Sequence, residues 1–144
     1  QLLANQFGPV GIFNLSITPP QVIEETHQRM QKFYHRQGGA WKRHYMPRTV
    51  LLFINKESAK AKAAAQGAWE NYWRAMEGTL DPKKVEMAVQ NTIYGDPIEV
   101  LEKIKQKYHP EDRLMLWFDF NNHQTEEVES AMKLFFEKVA PGLA

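Results

Sequence analysis

A chain of 144 residues with 43% hydrophobic content has the length of one domain and enough apolar material for a real core. Its net charge of +1 gives no broad footprint for nucleic acid, and no apolar run approaches the roughly 20 residues of a membrane span. Without cysteine there is no disulfide or thiolate chemistry, and without a signal-peptide pattern the expected setting is the cytoplasm.

Residues 1–8 read as a helix end closing at Gly8-Pro9. Val10 to Ile17 reads as a strand, with Phe13, Leu15 and Ile17 on one face and Val10, Ile12, Asn14 and Ser16 on the other. Thr18-Pro19-Pro20-Gln21 is a helix start with Thr18 as the cap. That helix lines up Ile23, His27, Met30 and Phe33 or Tyr34, and stops at Gly38-Gly39. His27 is read there as a packing residue. The connection from Trp41 to Pro47 is basic and aromatic. Lys42, Arg43, His44 and Arg48 are read as a solvated basic loop, because a helix-to-strand connection lies on the stability face of a parallel sheet. Thr49 to Ile54 is the second strand, bounded by Asn55.

From Glu57 to Met76 runs an alanine-rich helix with Ala61, Ala65, Ala68, Trp69, Tyr72, Trp73 and Met76 on one face. Gly78 ends it, and Asp81-Pro82 starts a shorter helix through Val89, so 57–94 reads as a helical insertion after the second strand. Gly95-Asp96-Pro97-Ile98-Glu99-Val100 is the strongest local signal. Asp96 can accept from first-turn N–H groups, Pro97 loses only an orphaned donor, and Glu99 completes a capping box. Leu114 to Phe120 is the last strand, followed by an acidic helix with Val128, Met132, Phe135 and Val139. Strands alternating with helices predict an α/β domain over residues 1–144. Three parallel, adjacent strands near 10–17, 49–54 and 114–120 should be joined by right-handed helical crossovers.

Strand alternation brings Asn14, Ser16, Asn55, Asp119 and Asn121 to one rim, at the carboxyl ends of the strands. His123 stands beside that rim, and Asp119 and His123 are the candidate catalytic residues. Trp117 or Phe118 could supply an apolar wall. The histidines show no compact ligand spacing, so no metal site is expected. A calcium loop starting at Asp119 fails, with Gln124 at the glycine position and Ser130 at the bidentate glutamate position. No serine elbow, Walker loop or dinucleotide fingerprint is present.

From Asn91 to Leu143, the Gly95-x-Pro97-x-x-Val100 helix start stands in order with the apolar strand and the acidic helix ending in Val139-Ala140-Pro141-Gly142-Leu143. The whole resembles the last βα unit of the bacterial-luciferase-like family of flavin-dependent monooxygenases. The resemblance implies a (β/α)8 barrel, of which this chain would carry about the last three βα units, since a whole barrel needs about 250 residues. It implies reduced FMN, molecular oxygen and a small organic substrate, with Asn14, Ser16, Asn55 and Asn121 facing the cofactor and the 57–94 insertion near the active-site mouth. The flavin phosphate loop would precede Gln1, so weak or absent flavin binding is expected of this chain alone. Its partners would be the N-terminal barrel half or a second copy. The rival reading is a non-catalytic, truncated α/β module that self-associates through an open sheet face built from Leu51, Phe53, Met115 and Trp117.

Overall fold

The computed structural model describes residues 18–34, 40–79, 81–120 and 124–143. Strand β1 (Arg48–Ile54) is the middle strand of a parallel sheet, because its apolar run RTVLLFI has no polar face to turn to water. It is flanked by β2 (Ile93–Gly95) and β3 (Leu114–Trp117) in the order β2-β1-β3. Leu52 pairs with Ile93 and Ile54 with Gly95, while Arg48 pairs with Leu114 and Leu51 with Trp117. The helices are α1 (Pro20–Phe33), α2 (Ser58–Met76), α3 (Pro82–Asn91), α4 (Pro97–Lys107) and α5 (Thr125–Lys138). Short 3-10 turns occupy Arg43–Tyr45 and Ala140–Gly142.

The adjacent, parallel pairing of the 49–54 and 114–120 segments agrees with the sequence reading; the segment 10–17 lies outside the described residues. Two details differ. Ile93–Gly95 is a strand, where the sequence suggests only the end of a helical insertion and a turn. Three residues are too few to show a periodicity, and pairing with β1 is what makes them a strand. The last strand ends at Trp117 rather than Phe120.

Both faces of β1 are covered. Val50, Leu52 and Ile54 pack with Ile93, with Val100 and Ile104 of α4, and with Phe135 and Val139 at the end of α5. Leu51 and Phe53 pack with Ala65, Ala68 and Trp69 of α2, with Val85 and Ala88 of α3, and with Phe120. The alanines of α2 let that helix lie close to the sheet. Leu51 and Phe53 are therefore only 2% and 5% exposed, and the expected open face is reduced to Met115 (46%) and Trp117 (50%) on β3. Among the described residues the sheet is open, with helices on both faces.

The helix starts explain why the chain turns where it does. Asp96 accepts from the N–H groups of Ile98 and Glu99, and Glu99 Oε2 accepts from Asp96 N–H at 3.0 Å, a complete capping box. Gly95 precedes it with φ of 150°, and a Cβ there would lie 2.8 Å from Glu99 Cβ and collide with its carboxylate. Asp81 caps α3 through Lys83 N–H. At α1 the cap is Pro19, with no side-chain hydrogen bond, so Thr18 does not play the expected part.

Candidate functional site

The carboxyl end of the sheet is where α/β folds place chemistry, most of all where neighbouring strands send their following helices to opposite faces. That condition holds between β1 and β3. α2 leaves β1 for the Leu51 face, and α5 follows β3 onto the Val50 face. A cavity of about 360 Å³ lies there, between the starts of α2 and α5. Its floor is the end of β1, from Leu52 to Asn55. Ala61, Ala64 and Lys60 wall it from α2, Phe118 from the exit of β3, and Glu126, Glu127, Val128, Ser130 and Ala131 from α5.

Two of the residues singled out from sequence meet in this crevice. Asn55 lies on the floor, its Oδ1 accepting from Glu57 N–H at 3.0 Å and its own N–H donating to Gly95 O at 3.2 Å. That turn sets the direction in which α2 leaves. Phe118 supplies the apolar wall and stacks edge-on against Phe135 at 5.7 Å. Trp117 does not reach the crevice; it projects from the other face toward Phe120. Asp119 is half-buried beyond Phe118 and is not among the lining residues. Asn14, Ser16, Asn121 and His123 lie outside the described residues.

Sequence reasoning missed Lys60, Glu126, Glu127 and Ser130. Helix starts at the carboxyl end of a sheet supply crevice walls, and the positions just inside α2 and α5 were the signal available. Lys60 Nζ pairs with Glu57 Oε1 at 2.6 Å across one turn, with both side chains largely in water. Below it, Ser58 donates to Glu99 Oε2 at 2.5 Å and ties the start of α2 to the start of α4. That bond, followed by the one from Asp96 N–H, holds the Glu99 carboxyl below its ordinary pKa.

The basic connection is the main correction. Arg43 and Arg48 are not a solvated loop; they meet at Asp112, whose side chain is 1% exposed. Arg43 Nε donates to Asp112 Oδ1 at 2.7 Å, and its two terminal nitrogens hold Glu24 at 2.8 and 2.6 Å. Arg48 donates to Asp112 Oδ2 at 3.2 Å and lies 4.5 Å over the Tyr108 ring. Burial works to raise the Asp112 carboxyl, but the Arg43 hydrogen bond and charge, His109 N–H and Arg48 outweigh it, and its pKa falls below the usual value. The hydrogen bond to Glu24 comes first among the causes that raise Arg43. His27 is buried beside this group, its Nδ1 accepting from Trp41 Nε1 at 3.1 Å, while Nε2 lies 4.0 Å from Asp112 Oδ1 and has no hydrogen-bond partner among the described residues. Burial, then the charge of Arg43, lowers its pKa. This assembly sits at the amino ends of β1 and β3, opposite the crevice, and fastens α1 to the sheet. Among the described residues, no group of histidines and carboxylates is placed to hold a metal ion, and no helix is long and apolar enough to cross a membrane.

No protein-family model matches the chain, and no curated protein does. Among solved structures, monooxygenase RslO1 from Streptomyces bottropensis is similar, with a TM-score of 0.77 and 18% identity over 99% of this chain and 44% of that one. The chain thus spans less than half the length of that structure. The likeness shows a shared α/β fold.

Proposed function

We propose that the chain is the C-terminal portion of a flavin-dependent monooxygenase of the luciferase-like class, built as a (β/α)8 barrel. The crevice between β1 and β3 would be its share of the rim that holds reduced FMN and a small organic substrate. The observation that supports this most is the likeness of nearly the whole chain to less than half of a monooxygenase. Barrel enzymes work at the carboxyl ends of their strands, where this crevice lies. Bound there, FMN would supply the redox chemistry, while the protein positions it and excludes water.

The residues in hand fit a flavin ring or a substrate better than the flavin phosphate. The Asn55 amide offers a polar contact and Phe118 an apolar wall. A dinegative phosphate would meet one ammonium, Lys60, already paired with Glu57, against Glu126 and Glu127. On this reading the phosphate site would belong to barrel units beyond this chain. Fluorescence titration with FMN tests both halves of the reading. This chain alone should show weak or no saturation, and the protein extended to a full barrel should saturate. Submicromolar binding by the chain alone, about −8 kcal/mol or better, would place the phosphate site within it. Absence of flavin binding by the complete barrel would refute the function itself.

A second reading, a non-catalytic module that self-associates, draws on the exposure of Met115 and Trp117.

A further inference from the structure

Trp41, Tyr34 and Tyr45 form an aromatic cluster beside α1, with ring centroids 5.5 to 5.9 Å apart. One hydrogen bond ties the cluster to the interior: Trp41 Nε1 donates to His27 Nδ1 at 3.1 Å. An indole N–H can only donate, so Nδ1 is bare and the neutral ring keeps its hydrogen on Nε2. That Nε2 lies 4.0 Å from Asp112 Oδ1, and His27 is 1% exposed. A second proton on this ring has one place to go, the nitrogen that Trp41 uses. An imidazolium has two donors and no acceptor, so the indole N–H would then face another N–H.

We propose that His27 is a proton-operated latch on the connection between α1 and β1. Unprotonated, it holds Trp41 and with it the segment from Ala40 to Pro47; protonated, it lets Trp41 go. Among the described residues, the charged groups around the ring come from four places. Glu24 stands on α1 itself, Arg43 on the 3-10 turn, Arg48 on β1 and Asp112 just before β3. Burial opposes the imidazolium most, then Arg43, with Arg48 behind; Asp112 and Glu24 favour it. The latch is therefore closed in the neutral range and opens below the ordinary histidine value of 6.5. His44 is exposed and meets Tyr45 at 4.8 Å, but it does not touch the Trp41 bond. Opening is local, because the new charge faces Asp112, which still holds α1 to the sheet through Arg43 and Glu24. The latch sits at the amino end of the sheet and does not depend on the flavin reading.

An NMR titration of the nitrogen-15-labelled chain tests this. The chain has four tryptophans and so four indole N–H signals, and Trp41→Phe identifies the one from Trp41. At the high-pH end the His27 nitrogens should show hydrogen on Nε2 and none on Nδ1. As pH falls, the Trp41 signal should shift with the same midpoint as His27, while the other three indole signals stay in place. His27→Asn should hold the Trp41 signal fixed over the same range, and His44→Gln should leave its midpoint unchanged. Trp41→Phe should raise the His27 midpoint by about half a pH unit, because the bond favouring the neutral ring is lost. Circular dichroism establishes that each variant is folded, and the titration of the unaltered chain decides by itself if one is not. Hydrogen on Nδ1 at the high-pH end would overturn the proposal. So would a Trp41 signal that follows His44, or one that moves only together with the other three in global unfolding.

Discussion

Arg43 and Asp112, 69 residues apart in sequence, meet at 2.7 Å between Nε and Oδ1 and hold the amino end of the sheet together. Asp112 also takes Arg48, the first residue of β1, and His109 N–H, just before β3. One carboxylate thus fastens the connection from α1 to two strands.

Removing it should be costly. Asp112→Asn leaves the largely buried Arg48 guanidinium without its counter-charge and Arg43 with Glu24 alone, and breaking a buried pair costs about 3–5 kcal/mol. Glu24→Gln should cost less than about 1 kcal/mol, because the Glu24 side chain is 50% exposed and solvent screens it. Urea unfolding of both variants provides the comparison. Equal losses would mean that burial does not set the strength of this network.

Stability should fall on mild acidification because of His27. Its ordinary pKa is 6.5, and the folded chain lowers it through burial and the charge of Arg43. Between the two values the unfolded chain binds a proton that the folded chain does not, so stability rises with pH there. The contribution is complete above 6.5 and shrinks as pH drops toward the folded value. Glu24 and Asp112, both lowered, add a further loss once pH falls through the carboxylate range. His27→Asn keeps an acceptor for Trp41 and should flatten the slope just below pH 6.5 in urea midpoints. An unchanged slope would assign it to another group.

Gly95→Ala should destabilise by about 1–3 kcal/mol, since it combines a φ of 150° with a Cβ 2.8 Å from Glu99 Cβ. Glu99→Ala removes the carboxylate but not the backbone strain. The double variant should therefore lose less than the sum of the singles, as neighbouring sites do. Thermal unfolding of the three proteins measures it, and simple additivity would show that the side-chain collision is unimportant.

Trp69 Nε1 donates to Thr92 Oγ1 at 3.1 Å, and that hydroxyl donates onward to Ala88 O at 2.9 Å, fixing α2 against the end of α3. Trp69→Phe keeps most of the packing and should cost about 1 kcal/mol for the hydrogen bond. Trp69→Ala should cost about 3–5 kcal/mol through the cavity it opens. If both variants unfold at the same urea concentration, the bond rather than the ring carries the contact.

What the sequence by itself determined were the features that depend on a few neighbouring residues. Asp96, Pro97 and Glu99 specify the start of α4 because the whole capping box closes within one helical turn. Asp81 and Pro82 do the same for α3, and the apolar run from Thr49 to Ile54 announces a strand. Asn55 was legible as a rim residue because a strand end leads straight into a helix start. Tertiary structure alone decided the rest. β2 is too short to carry a period and exists through its partner. Leu51 and Phe53 are hidden because α2 closes over them, while Met115 and Trp117, equally apolar and on the same face, are left exposed. Arg43 and Arg48 look like a wet basic loop until folding brings Asp112 to them from 69 and 64 residues away. Local hydrogen bonds are written in adjacent residues, whereas burial and ion pairing depend on which distant segments the fold sets side by side.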